Sequence, residues 1–299
     1  MLAFTDTRGA VEVVFTDRHG GAGTSGGAGD PGASGAAGAP GARDALNLAE
    51  PPLDDPDLES RLALLEENVD ILGYALARGG EAEGDDVFAL PDGATLPTVV
   101  RVRQVHGNHV HLVDRAWLEG SRQRAGDPPS GSSVELRSAQ TLVEADGLVT
   151  DVPGVALLVR VADCVPVLLA DPDRGVVGAA HAGRDGLVRG IVPATVGRMR
   201  DLGAGRIVAW VGPSICGRCY ELPEELQREV VAAVPEAQAQ TSWGTPAVDV
   251  GAGVVAQLRA EDVEVVDAAR CTREDADLWS YRRDGLAAGR LGAVVWVRP

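Results

Sequence analysis

The chain has 299 residues, 45% of them hydrophobic and 24% charged, so it can bury a substantial core as one large domain or two small ones. Its 27 basic and 44 acidic side chains leave a formal charge of −17, which opposes binding to nucleic-acid backbones or anionic membrane surfaces. A local basic pocket for a small phosphate remains compatible with that charge.

No run of about eighteen apolar residues suits a membrane span. The N-terminal MLAFTDTRGAVEVVFTD lacks the basic-then-apolar order of a secretory signal. The four cysteines, Cys164, Cys216, Cys219 and Cys271, are accordingly read as thiols or metal ligands of a cytoplasmic protein rather than as a disulfide framework.

In chain order, the β-branched run at residues 11 to 16 reads as a strand. Residues 20 to 43 are almost entirely Gly, Ala, Ser and Pro, a composition that cannot bury enough apolar surface to offset its ordering entropy, so a loop is expected. It contains no GxxxxGK[ST] phosphate loop. Asp54-Asp55-Pro56 opens a helix carrying Leu62, Leu65, Val69, Leu72 and Leu76 at helical spacing. Strands are expected at 97 to 105 and 109 to 113, broken near Gly107-Asn108, and a polar loop at about 119 to 138.

Residues 155 to 169 form a nearly unbroken apolar run interrupted by Asp163-Cys164 and Pro166, and a short buried strand from Val176 to Ala180 delivers His181. A helix is expected over about 186 to 202, kinked or broken at Pro193. Strands near 206 to 211, 263 to 267 and 293 to 297 alternate irregularly with helices near 222 to 233 and 251 to 260. Without a regular βαβ rhythm, the pattern predicts an α+β fold.

Five histidines occur, at 19, 106, 109, 111 and 181. His106 sits where a strand ends at a glycine, Cys164 where an apolar run is broken by a carboxylate and a thiol, and His181 at the end of another apolar strand. Three such ligands suit a catalytic zinc site that keeps its fourth position open, although isolated strand-end His and buried Cys residues are commonly structural. Cys164 would bind as thiolate, and Asp163 beside it is either a proton carrier, an orienter of the ligands, or a carboxylate capping a turn. His109 and His111 share one strand face and read as solvated or packed.

Cys216-Gly217-Arg218-Cys219 offers a rival centre, either a thiol–disulfide pair or half of a structural zinc site. A zinc ribbon needs a second C-x-x-C, which the sequence lacks, and a thioredoxin-like pair should open a long helix rather than run into Tyr220-Glu221-Leu222-Pro223. Arg18, Arg184, Arg282 and Arg283 are the arginines expected near the pocket, where a guanidinium fork could hold an anionic cosubstrate.

These motifs together resemble a known family. Phe15-Thr16-Asp17-Arg18-His19-Gly20-Gly21, Leu46-Asn47-Leu48, Gln104-Val105-His106-Gly107 and Glu144-Ala145-Asp146-Gly147-Leu148-Val149-Thr150 carry the match. It continues through Ala162-Asp163-Cys164 with Pro166, His181-Ala182-Gly183, Gly212-Pro213-Ser214-Ile215, Tyr220-Glu221, Cys271-Thr272 and Ser280-Tyr281-Arg282-Arg283-Asp284. Over most of its length outside the two loops, the chain resembles the laccase-like multicopper polyphenol oxidase family, viewed also as zinc-containing purine nucleoside phosphorylases and as peptidoglycan editing factors.

The resemblance implies one domain over residues 1 to 299, with layered mixed sheets flanked by helices, similar to the deamidase domain of cytotoxic necrotizing factors. It implies a metal triad of His106, Cys164 and His181, with zinc rather than copper as the cofactor. The implied reactions are phosphorolysis of adenosine, inosine, guanosine and methylthioadenosine, with adenosine deamination as a side activity. Nucleosides and phosphate are then the partners, with no nucleic acid or membrane, and Arg18, Asn47 and Arg184 are candidates to hold substrate.

The family ordinarily reads His-Ala-Gly-Trp-Arg where Arg184 and Asp185 follow Gly183 here, so an aromatic wall or a basic contact beside the metal is changed. The glycine-rich insertion before Asn47 is a second departure, of small expected cost because loop closure grows by only about 0.6 kcal/mol per doubling of length. A Cys–His hydrolase with Cys164 as nucleophile and His181 as base is the alternative enzyme. A copper phenol oxidase would need several copper ions and more than five histidines.

Overall fold

The computed structural model describes residues 2–18, 97–125 and 143–299. The expected loop at 20 to 43, the helix after Pro56, His19 and Asn47 lie outside the described residues. In chain order the first strands are β1 (Leu2–Arg8), β2 (Val11–Thr16), β3 (Thr98–Arg101), β4 (Val110–Leu112), β5 (Gly147–Thr150), β6 (Val155–Val161) and β7 (Val165–Asp171). After them come β8 (Val176–Ala182), β9 (Val208–Val211), β10 (Gln238–Gln240), β11 (Pro246–Val248), β12 (Glu264–Asp267) and β13 (Leu291–Val297). The helices are α1 (Arg115–Ala125), α2 (Arg184–Arg189), α3 (Ile191–Asp201), α4 (Glu224–Ala233), α5 (Val250–Ala260) and α6 (Tyr281–Asp284).

A five-stranded sheet in the order β1-β2-β13-β6-β3 packs on a six-stranded sheet in the order β12-β9-β7-β8-β5-β4, and β10 and β11 form a separate pair. Both large sheets are mixed: β3–β6, β4–β5 and β9–β12 run parallel and the other neighbours antiparallel. This is the expected α+β layering.

The unbroken apolar runs follow from the six-stranded sheet being covered on both faces. Val165, Val167 and Leu169 of β7 pack with Leu187, Ile191, Met199, Val254 and Leu258 of the helical layer. Leu168 and Ala170, on the alternate face, pack with Phe15, Leu157, Val159 and Val295 of the other sheet. With no exposed face, β7 has no need of polar alternation. Truncating a side chain such as Leu168 to Ala costs about 2–5 kcal/mol at a site of this kind.

Two local expectations need correction. The stretch 186 to 202 is two helices broken at Gly190, which adopts φ 79°, not at Pro193. Pro193 occupies the first turn of α3, where its missing N–H costs nothing, while Gly190 takes the left-handed conformation that a side chain disfavours. The polar loop expected from about 119 begins as helix α1, which runs to Ala125. Asp114 Oδ1 accepts the N–H of Trp117 at 2.7 Å and caps that helix, and Leu118 is buried against the core. Among the described residues no helix is long and apolar enough to cross a membrane.

Candidate metal centre

The chain leaves the five-stranded sheet at Val161 and enters the six-stranded sheet at Val165, and the three residues between make the crossing. Asp163 turns the corner with φ 91°, a conformation costly for a residue with a side chain. Its two carboxylate oxygens are held, Oδ1 by the Thr272 hydroxyl and Oδ2 by the Arg282 N–H, each at 2.6 Å, and its carbonyl accepts the N–H of Ile215 at 2.9 Å. The corner presents Cys164 to the gap between the sheet ends.

His181 reaches the same gap from the end of β8, and His106 from the turn beyond β3. The ligand atoms of His106, Cys164 and His181 lie within 4.8 Å of one another, with Cys164 Sγ 3.7 Å from His106 Nε2 and the two imidazole rings edge to face at 4.8 Å between centroids. The triad expected from the sequence is therefore brought together. Gly183 permits the close approach: a Cβ there would stand 2.6 Å from His106 Cδ2 and 3.1 Å from Cys164 Sγ.

Behind the triad lies Asp146, which is fully buried. Its Oδ1 is 2.8 Å from His181 Nδ1, and it accepts backbone N–H groups from Val105, His106 and Gly107 at 3.2, 2.9 and 2.6 Å. One carboxylate thus orients His181 and shapes the turn that places His106, which itself has φ 60°. Burial by itself would raise the Asp146 carboxyl, but the hydrogen bonds from His181, Gly107 and His106 outweigh it and hold the group below its ordinary value. Burial lowers His181 despite the pull of Asp146, so the imidazole is neutral. An ionised Asp146 keeps the His181 proton on Nδ1 and leaves Nε2 as a lone-pair ligand, the carboxylate–histidine arrangement that supports metal binding. Burial also pushes the Cys164 thiol up to about 12. Two imidazoles and a thiol at this spacing fit a borderline-soft divalent cation, which stabilises the thiolate.

A cavity of about 570 Å³ opens onto the triad. Its wall includes Tyr220, whose ring lies 4.9 Å from the Arg282 guanidinium, and four arginines, Arg160, Arg184, Arg282 and Arg290. Of the arginines expected near the pocket, Arg184 and Arg282 line it. Arg184 forms an ion pair with its neighbour Asp185 at 2.7 Å. Arg283 instead donates to the carbonyls of Thr272, Asp275 and Leu278, and Arg18 stacks on Trp279 at 4.3 Å. His111 packs edge-on against Trp117, and burial lowers its pKa.

Sequence reasoning left Asp146, Arg160, Arg290 and Tyr220 out of the site. Arg160 lies inside an apolar strand and Arg290 before another, so neither has a local signature. Asp146 has one: a carboxylate next to a glycine at the start of a fully buried strand needs several hydrogen-bond donors.

The profile described as multi-copper polyphenol oxidoreductase laccase matches residues 89–298. A purine nucleoside phosphorylase of Streptomyces coelicolor is 49% identical over 232 residues, covering 73% of this chain and 86% of its own. An adenosine deaminase from an unknown prokaryotic organism is 33% identical over 230 residues, covering 69% of this chain and 81% of its own. Among solved structures, a Neisseria meningitidis protein superposes with a TM-score of 0.66 at 25% identity, covering 99% of both chains. The profile match spans well over half the sequence, and the chain belongs to the multi-copper polyphenol oxidoreductase laccase family.

Proposed function

We propose that this protein is a zinc-dependent purine nucleoside phosphorylase, acting on adenosine, inosine, guanosine and methylthioadenosine, with adenosine deamination as a side activity. The supporting observation is the juxtaposition of the His106–Cys164–His181 triad with a cavity walled by four arginines in a chain of charge −17. Such a local excess of cation selects a small anion. The relatives named as a phosphorylase and as a deaminase point to the same pair of reactions.

His106, Cys164 and His181 would hold the zinc, which supplies a Lewis acid next to the cavity and can activate water for deamination. In phosphorolysis a phosphate oxygen forms a bond to the ribose carbon as the bond to the purine nitrogen breaks, and the purine leaves with the electron pair and takes up a proton. Arg160, Arg184, Arg282 and Arg290 hold the phosphate and lower the entropy of the encounter. Arg18, which stacks on Trp279 outside the cavity lining, and Asn47 are the sequence's candidates for the phosphate or ribose, and the four cavity arginines take that role in this reading.

Tyr220, with its pKa raised by burial, stays a neutral phenol and offers a ring face for the purine together with a donor. Asp163, with both oxygens occupied by Thr272 and Arg282, acts as a positioning residue that fixes Cys164. Asp146 keeps His181 in the ligating tautomer. The Cys–His hydrolase reading is weaker, because burial holds the thiol that would attack at about 12, and its sulfur converges with two imidazoles, not one, within 4.8 Å as a ligand set. The four cysteines are all free thiols, which suits a cytoplasmic protein.

The test is to incubate zinc-loaded protein with inosine or adenosine, with and without phosphate, and to separate the products. Free base and ribose 1-phosphate formed only with phosphate is the expected result. Folded, zinc-loaded protein that leaves every nucleoside intact defeats the reading.

A further inference from the structure

A second set of soft ligands lies away from the cavity. Cys216, Cys219, Cys271 and Glu274 each offer a ligand atom, and the four atoms lie within 4.8 Å of one another. A tetrahedral zinc with Zn–S bonds of about 2.3 Å would separate its sulfurs by about 3.8 Å, so little rearrangement is needed to close a shell around it.

Two facing turns build the group. Cys219 N and Tyr220 N both donate to Cys216 O, at 2.9 and 3.0 Å, and Asp275 N donates to Cys271 O at 2.9 Å. Each turn therefore presents its residues at positions one and four to the other. Cys216 N approaches Cys271 Sγ at 3.5 Å, and Cys219 Sγ approaches Glu274 Oε1 at 3.3 Å. The sequence shows one C-x-x-C and no second, but Cys271-x-x-Glu274 completes the set from 55 residues further along. The turns are tied together by backbone as well: Ser214 N donates to Arg270 O and Thr272 N to Ser214 O, each at 3.0 Å.

We infer that Cys216, Cys219, Cys271 and Glu274 form a second, structural zinc site, distinct from the His106–Cys164–His181 centre. Binding releases the three thiol protons to solvent and involves no redox change. Three thiolates and a carboxylate around Zn²⁺ carry a net charge of −2, and Arg218, paired with Glu274 at 3.4 Å, offsets part of it. Four protein ligands complete a tetrahedral shell, and none of them lines the cavity at the triad, which suits a structural site rather than the open one of a catalyst.

The consequence reaches the cavity. The first turn carries Ile215 and Tyr220 of the cavity wall, and the second carries Thr272, whose hydroxyl fixes Asp163 beside Cys164. Zinc at this place adds a clamp between a cavity-lining turn and the turn that holds Asp163.

The test counts metal in the Cys164→Ala protein, where the first centre is disabled, so its outcome does not depend on the proposed activity. About one zinc per chain is expected to remain, with an X-ray absorption edge spectrum dominated by sulfur scatterers, and Cys216, Cys219 and Cys271 should be slow to react with a thiol reagent until a chelator is added. Adding Cys216→Ser and Cys271→Ser should remove that zinc. A folded Cys164→Ala protein that carries no zinc after incubation with it, or whose Cys216 and Cys219 are joined as a disulfide on purification under reducing conditions, overturns the assignment. Should the serine variant fail to fold, the Cys164→Ala measurement alone decides.

Discussion

The two cysteine-containing clusters differ in where the fold places them. The His106–Cys164–His181 group stands where two sheets part, faces a cavity, and rests on a buried carboxylate. The Cys216–Cys219–Cys271–Glu274 group joins two turns outside the lining of that cavity. The first gathers three ligand-type side chains beside the cavity, whereas the second gathers four outside it. Ligand number and access, more than ligand type, separate a site that can react from one that can only hold.

Cys164→Ala sharpens that contrast most. It should reduce phosphate-dependent cleavage of inosine to background, while circular dichroism and the zinc held by the other cluster stay as in the parent protein. Retained turnover would move the chemistry away from the triad.

Asp146→Asn is expected to weaken zinc at the first centre about 10–100-fold, because His181 loses the partner that fixes its tautomer, and to leave the second unchanged. Competition with a chromophoric chelator measures both constants, and an equal loss at the two sites would show that Asp146 acts on the whole fold rather than on His181.

How much of this the sequence reveals depends on how local each signal is. The long apolar strands β6 and β7 are legible because burial on both faces removes polar alternation, and the three ligands because each interrupts or ends such a run. The helix break is misplaced at Pro193 because a proline in a first turn is harmless and the glycine three residues earlier is the true hinge. Arg160 and Arg290 escape notice because only tertiary packing brings an arginine inside β6 and one just before β13 to one wall. Cys271 and Glu274 escape for the same reason: the pairing of their turn with Cys216 and Cys219 spans the whole of α4 and α5.

Gly183→Ala tests the closeness of the first centre. Its Cβ would meet His106 Cδ2 at 2.6 Å, so either the ring or the helix start must shift, and such overpacking costs about 1–3 kcal/mol. Urea unfolding should register the loss, with zinc affinity falling at the triad only; unchanged stability and affinity would mean that the turn carrying His106 yields freely.

Arg282→Ala should act still more narrowly. A loss of about 1.4 kcal/mol in phosphate binding raises KM for phosphate roughly tenfold. Adenosine deamination, which uses no phosphate, should change less; equal losses in the two reactions would assign Arg282 to the nucleoside instead.

The most direct measurement is an anomalous difference map collected on either side of the zinc absorption edge from crystals of the intact protein grown with zinc. A peak bounded by His106, Cys164 and His181 is expected, with one side open to the arginine-lined cavity, and a second among Cys216, Cys219, Cys271 and Glu274. A map with no peak at the triad, or with metal seated only on surface carboxylates, contradicts it.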